Sequence, residues 1–410
     1  MTTRLLVSAA SAALLLLAGA AIAETPPSST PDAAAVHRRA LVLDGHADVL
    51  LPSTPARYWL PGGGSRVDLD HLTRGQVDAV VLSLSVGPGP RDAAGVAAAR
   101  ADVDAKLAKI RAFAADNPTR VGIALSADDV ERLAGQGKTA VLIGFQNARS
   151  LGDDAGQIDA LYRDGVRVFA FNHAGHNSWS DSSRPGDAPP SENGGLSPIG
   201  RQAVARLNDL GVLIDVSQLS SEAFAQTLAL TRAPVAATHS NVRALVDNGR
   251  NLSDVELDAI KKNNGVVQVT PFNSYLARQP TSAEREKISA VRVRHGLPAV
   301  FAAANDGYGG LTPQPQQAFL DELAPLLPRA TVRDYVDHID YIAKRIGWTH
   351  VGVGTDFDHG AGVTGFDSEA EAANVTAELL RRGYTEDQID AIWSGNFLRV
   401  LRAAEAGRRT

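Results

Sequence analysis

The sequence predicts an α/β chain folded as a (β/α)₈ TIM-like barrel, and two features carry that expectation. Eight short runs rich in Val, Ile and Leu recur along the chain, and helical patterns lie between them. The runs are ALVLDG (40–45), DAVVLSLS (78–85), TAVLIGF (139–145), VRVFAFN (166–172), GVLIDVS (211–217), PVAATH (234–239), GVVQVT (265–270) and HVGVGTD (350–356). Most are apolar on consecutive residues rather than alternating, which suits parallel strands covered on both faces. The intervening helices include residues 93–117, 197–211 and 220–232, the last opening at a serine with Glu222 close behind. Strands and helices in this alternation close into a barrel; an open doubly wound sheet is the alternative from pattern alone. Residues 276–337 separate the seventh and eighth strands and contain Pro- and Gly-bearing turns, NDGYGGLTPQP among them. A connection of that length predicts an inserted lid or cap beside the barrel mouth rather than a second domain.

The ends of the chain have a different character. Residues 1–23 carry Arg4, an apolar stretch and a small-residue Ala-Ile-Ala ending, the pattern of a cleavable secretory signal. A membrane anchor is the alternative, but the apolar run is short. No cysteine follows it for lipid attachment, and the C-terminal RVLRAAEAGRRT is charged, unlike an anchor tail. The expectation is a periplasmic or secreted protein with no stable membrane anchor, a flexible leader at 24–34 and a single domain at 35–405. Without cysteine there is neither a disulfide framework nor a thiolate metal site. A net charge of −6 argues against nucleic acid as a partner.

A barrel carries its active site at the C-terminal ends of its strands. Those ends bring Asp44-Gly45-His46-Ala47-Asp48 after the first strand, Gln146-Asn147 after the third and His173 after the fourth. Gln218 follows the fifth, His239 the sixth, and Asp356, Asp358 and His359 the eighth. Strand two offers only serines. Histidines and aspartates at the tips of separate strands supply the N and O ligands that a zinc-like ion prefers. His71, His295, His338 and His350 lie in helices, in the insert or at the wrong end of a strand, and read as structural or solvated.

At these residues the chain resembles the membrane (renal) dipeptidases, metallopeptidase family M19, within the amidohydrolase-like barrels of metallo-dependent hydrolase type. The resemblance spans about Val36 to Ala403. It rests on LVLDGHADVL, FNHAGHNSWSDSS (171–183), LSPIGRQAVARLNDLGVLIDVS (196–217), APVAATHS (233–240), GRNLSD (249–254) and VGVGTDFD (351–358). It implies a binuclear zinc site hydrolysing the peptide bond of dipeptides, and makes a homodimer plausible. His46 and Asp48 match ligands of the first metal, and His239 matches a ligand of the second. His173 matches the histidine that steadies the tetrahedral intermediate. Arg250 falls where an arginine grips the substrate carboxylate, and Asp356 matches the aspartate that handles the proton of the nucleophilic water.

Two positions depart from that pattern. Gln146 stands where a glutamate bridges the two metals, and Gln218 where a histidine holds the second. Two dications ~3.5–4 Å apart repel by something on the order of 20 kcal/mol at an effective dielectric of 20, and a neutral amide brings no compensating charge. Gln146 and Gln218 are therefore weak ligands at best, and one strongly held zinc is expected rather than two. His176 and His359, facing the mouth, are further candidates for coordination, while Asp358 is expected to support its loop. Restoring Glu at 146 and His at 218 together is expected to restore the second metal. The function expected is an exported dipeptidase. Its alternative is a barrel with altered catalysis that acts as a periplasmic binding, accessory or peptide-tailoring protein.

Overall fold

The computed structural model describes residues 32–186, 188–299, 311 and 313–409. The expected signal lies outside the described residues, as does the leader up to residue 31; Ala33 already opens a helix that runs to Arg39. Eight parallel strands form the barrel: β1 (Leu43–Asp48), β2 (Ala79–Ser85), β3 (Thr139–Gln146), β4 (Val166–Ala170), β5 (Leu213–Asp215), β6 (Ala236–Ala237), β7 (Val266–Val269) and β8 (Val351–Val353). Each pairs with the next in sequence order, as right-handed βαβ crossovers lead one to expect. A ninth strand, Val121–Ile123, has no counterpart in the sequence expectation. It pairs with Thr139–Val141, below Ile143 where the ladder to β4 begins.

The barrel closes at its mouth. β8 stops at Val353, and residues 355–357 turn to meet the end of β1. His46 O accepts from Asp356 N at 2.7 Å, and Asp48 N donates to Phe357 O at 2.9 Å. Asp44 reinforces the seam, with Oδ1 accepting from Thr355 N and Oδ2 from Thr355 Oγ1, both at 2.7 Å. β1 begins three residues later than its hydrophobic run predicts and ends three residues later, so that His46 and Asp48 belong to the strand with Asp44. Gly45 makes this possible: a Cβ there would fall about 2.0 Å from the Gln268 amide, which reaches across from β7.

Around the barrel, helix Ala93–Asp116 buries Ala99, Val103, Lys106, Leu107 and Ile110, an i, i+3, i+4 stripe started by an Asp92 cap. The long connection after β7 holds helices Ser282–Arg294 and Pro313–Leu323, which share a small core of Val291, Leu297, Phe319 and Leu323. The helix Val332–Ile346 belongs to the barrel, packing Tyr335, Val336, Ile339, Ile342 and Ile346 into the main core. Residues 332–337 are thus barrel rather than insert. No helix of the described residues is long and apolar enough to cross a membrane.

Candidate active site

One half of the mouth is built on β1 and the seam. Residues i and i+2 of a strand share a face, so His46 and Asp48 project together, and the turn at 355–357 brings in Asp356. His46 Nε2 lies 3.8 Å from Asp48 Oδ1 and 4.0 Å from Asp356 Oδ1. That nitrogen is buried and has no hydrogen-bond partner. A buried polar atom so placed is costly unless something polar or charged joins it. The donor set of one imidazole and two carboxylates fits a divalent cation of zinc type. Burial raises the pKa of Asp356, against the positive charge of His359.

Asp48 is the best-supported group there. Its Oδ1 accepts from Ser85 Oγ at 2.7 Å, and its Oδ2 pairs with His359 Nδ1 at 2.6 Å. Lys106, from the helix behind β2, donates to Ser85 O and Ser85 Oγ at 2.8 and 2.9 Å. Burial alone would raise the Asp48 pKa, but the charges of His359 and Lys106 outweigh it and hold the carboxylate ionised. Burial opposes a charge on His359 as well, and there Asp48 wins, so the imidazole titrates above its ordinary value.

The other half carries the two amides. Gln146 Nε2 and Gln218 Nε2 each lie 3.2 Å from His239 Nε2. On the far side of the ring, His239 Nδ1 meets Thr238 Oγ1 at 2.9 Å, and that hydroxyl donates to Asp215 Oδ2 at 2.6 Å. Both ring nitrogens of His239 are therefore engaged, and burial holds its pKa well below the ordinary value. The His46 and His239 rings stack, with centroids 3.9 Å apart.

His46, Asp215 and His239 also offer donor atoms within 4.8 Å of one another. Asp215, however, already accepts from Ser217 N at 2.8 Å, Thr238 N at 3.0 Å and the Thr238 hydroxyl. It acts as an orienting group: with Thr238 it occupies the Nδ1 side of the rings and leaves their Nε2 atoms to face the mouth.

Arg250 is buried, with Nη2 donating to His239 O at 2.6 Å and Nη1 to Ser240 Oγ at 3.1 Å. Its Nε has no partner, and no carboxylate pairs with it among the described residues. Burial lowers its pKa, against the opposing pull of Tyr275, Asp356 and Asp215. His173 Nε2 contacts His359 Nε2 at 2.9 Å, while its Nδ1 is buried without a partner. Burial and the neighbouring His359 and Arg184 charges hold His173 neutral. When His359 is charged it donates at Nε2, and His173 then accepts at Nε2 and carries its own proton on Nδ1.

His176 departs from expectation. Its Nε2 bonds Pro189 O at 2.7 Å and its Nδ1 accepts from Ser182 N at 2.9 Å, so it ties down its loop and has no lone pair to coordinate with. Asp358 supports its loop, taking Ser65 Oγ at 2.5 Å and Arg66 N at 2.8 Å. His338 accepts from Val242 N, and His350 contacts Gly265 O. Asn147, Gln218, Asp356 and Asp358 all hold positive φ, at 88°, 69°, 56° and 63°. Such non-glycine conformations cost about 1–3 kcal/mol each and gather where a site over-determines the backbone.

Sequence reasoning missed Lys106, Ser85, Asp215 and Thr238. Lys106 left one signal, a charged residue inside the apolar stripe of its helix. Asp215 left another, an acid closing an otherwise apolar strand.

A parallel barrel with this cluster at the carboxyl ends of its strands has the layout of a (β/α)₈ enzyme. The chain belongs to the membrane dipeptidase family, peptidase family M19, whose model matches residues 31–410. It is 30% identical over 344 residues to dipeptidase tcpJ of Claviceps purpurea, covering 83% of this chain and 69% of that one. Dipeptidase verJ of Clonostachys rogersoniana is 28% identical over 353 residues, covering 83% and 76%. Among solved structures, the probable dipeptidase PvdM from Pseudomonas aeruginosa superposes with a TM-score of 0.81 at 37% identity, covering 92% of this chain and 98% of that one. A metallo peptidase from Rhodobacter sphaeroides, liganded with a phosphinate mimic of the dipeptide L-Ala-D-Ala, shares the fold at a TM-score of 0.66 and 21% identity, covering 88% and 99%.

Proposed function

We propose that this chain is an exported dipeptidase that works with one tightly held divalent cation, zinc by preference. The observation that carries the proposal is the buried, unpartnered His46 Nε2 facing the carboxylates of Asp48 and Asp356. His46 and Asp48 would hold the cation, with Asp356 beside it; when bound, it supplies Lewis acidity for water and the scissile carbonyl. The substrate carboxylate binds Arg250, whose buried guanidinium forms no salt bridge to a carboxylate among the described residues. Asp356 takes the proton of the attacking water and passes it to the leaving amine; its raised pKa suits both directions of transfer. His173, neutral and with its proton on Nδ1, donates to the developing oxyanion. His359 fixes that tautomer and orients Asp48.

The satisfied state of His239 favours a second reading. Its Nε2 is engaged by two neutral amides, as expected of a barrel that kept the dipeptidase fold and binds or tailors a peptide without hydrolysing it. Purified protein assayed on a dipeptide panel with zinc, manganese or cobalt decides between them. Hydrolysis that disappears in Asp356→Asn supports the enzyme; no turnover with any of these metals supports the binding or accessory protein.

A further inference from the structure

We propose that the Arg184 guanidinium stands in for a second divalent cation at the barrel mouth and keeps one from binding there. This deepens the single-cation reading above, on which it rests.

Arg184 lies on the loop between β4 and the helix at Pro198–Leu210. Its backbone is fixed on both sides: Arg184 O accepts from Gly175 N at 2.8 Å, and Arg184 N donates to Ser182 Oγ at 3.1 Å. The same loop is tied to the site residue, since Ser183 N donates to Gln218 O at 2.9 Å. From there Arg184 Nη2 donates to Gln218 Oε1 at 3.2 Å. An amide whose oxygen faces a guanidinium must turn its NH₂ the other way, and Gln218 Nε2 points to His239 Nε2. The arginine thereby aims a donor at the one lone pair of His239 that a second cation would need. It also brings a permanent positive charge to within one amide of that position. Its charge bears on His173, His359 and Arg250 alike, all around the mouth. The paired glutamines account for missing ligands; Arg184 accounts for the charge. Replacing the glutamines alone would then leave a dication facing a guanidinium, contrary to the expectation drawn from the sequence.

The test is zinc content per chain after dialysis, by elemental analysis of the mature protein. The unmodified chain and Gln146→Glu/Gln218→His should each hold one equivalent. Adding Arg184→Gln to the double variant should raise it to two, and adding Arg184→Lys instead should leave it at one. Two equivalents in the double variant with Arg184 intact, or no gain on adding Arg184→Gln, would overturn the assignment. Should the multiple variants fail to fold, cobalt(II) titration of the single Arg184→Gln variant, followed by visible absorption, replaces them. Binding of the second cobalt should tighten at least tenfold relative to the unmodified chain; an unchanged second affinity overturns the proposal. If the unmodified chain holds no zinc, the single-cation reading fails, while the increment between double and triple variants still decides the role of Arg184.

Discussion

The two halves of the mouth are built from the same kinds of strand tip, yet they end in opposite electrostatic states. Around His46, an imidazole nitrogen is left without a partner while two carboxylates stand about 4 Å away. Around His239, Nε2 is met by two neutral amides and Nδ1 by a hydroxyl; the Asp215 carboxylate lies 3.8 Å from Nδ1, the Arg250 guanidinium bonds the His239 carbonyl, and Arg184 stands one amide away. Anionic oxygens in low dielectric call for a cation, whereas a neutral imidazole already engaged by two amides does not. On the single-cation proposal, the difference teaches that a metal seat is lost by completing a hydrogen-bond network as well as by deleting ligands.

The largest effect expected belongs to the first half. Asp356→Asn keeps the shape and removes the proton acceptor, so kcat/KM should fall by roughly 10²–10⁴. An activity within a few-fold of the parent would move the acid-base role elsewhere and dissolve the contrast between the halves. Arg250→Ala comes next. Losing a charge-assisted contact costs ~1.5–3 kcal/mol, a rise in KM of roughly 10–150-fold, and dipeptide amides should be poor substrates of the parent. Equal turnover of dipeptide and amide would take Arg250 out of the site.

A buried histidine outside both halves supplies a reference for what neutrality costs. Burial pushes His338 down from 6.5 to about 3. The unfolded chain binds this proton first as acid is added, so stability is full above pH 6.5 and declines as pH falls from there towards 3. The slope is up to about 1.4 kcal/mol per pH unit from this group, read as the difference in urea midpoints between the parent and a His338→Gln variant. Coincident pH profiles would show that His338 is not held neutral. The smallest effect is expected at Gln218. Gln218→Ala should leave the zinc content unchanged, because on the single-cation proposal that half holds none; loss of the bound zinc would show the halves to be one coupled site.

The barrel was legible because parallel strands covered on both faces must be continuously apolar, and the eight runs are. Boundaries slipped where polar residues continue a strand, as at Asp44–Asp48, and where pairing ends before the apolar run does, as at Val353. Val121–Ile123 was missed because three residues carry too little pattern. Of the site, His46, Asp48, Gln146, Gln218, His239 and Asp356 stood at strand tips, where the barrel's geometry gathers side chains. His359 and His176 looked alike by position; only their hydrogen bonds separate a residue that charges beside Asp48 from one that ties a loop to Pro189.

From its own residues the sequence determined the fold class and the strand tips where polar side chains gather, and the resemblance implied that two of them are amides at expected ligand positions. The first two follow from composition and period, which are local properties of a chain. The tertiary structure alone decided which groups compensate one another. Lys106 meets Ser85 across 21 residues, Arg184 reaches Gln218 across 34, and Thr238 touches the His46 ring across 192. Charge and hydrogen-bond satisfaction depend on distance and burial in space, and no spacing along the chain encodes either.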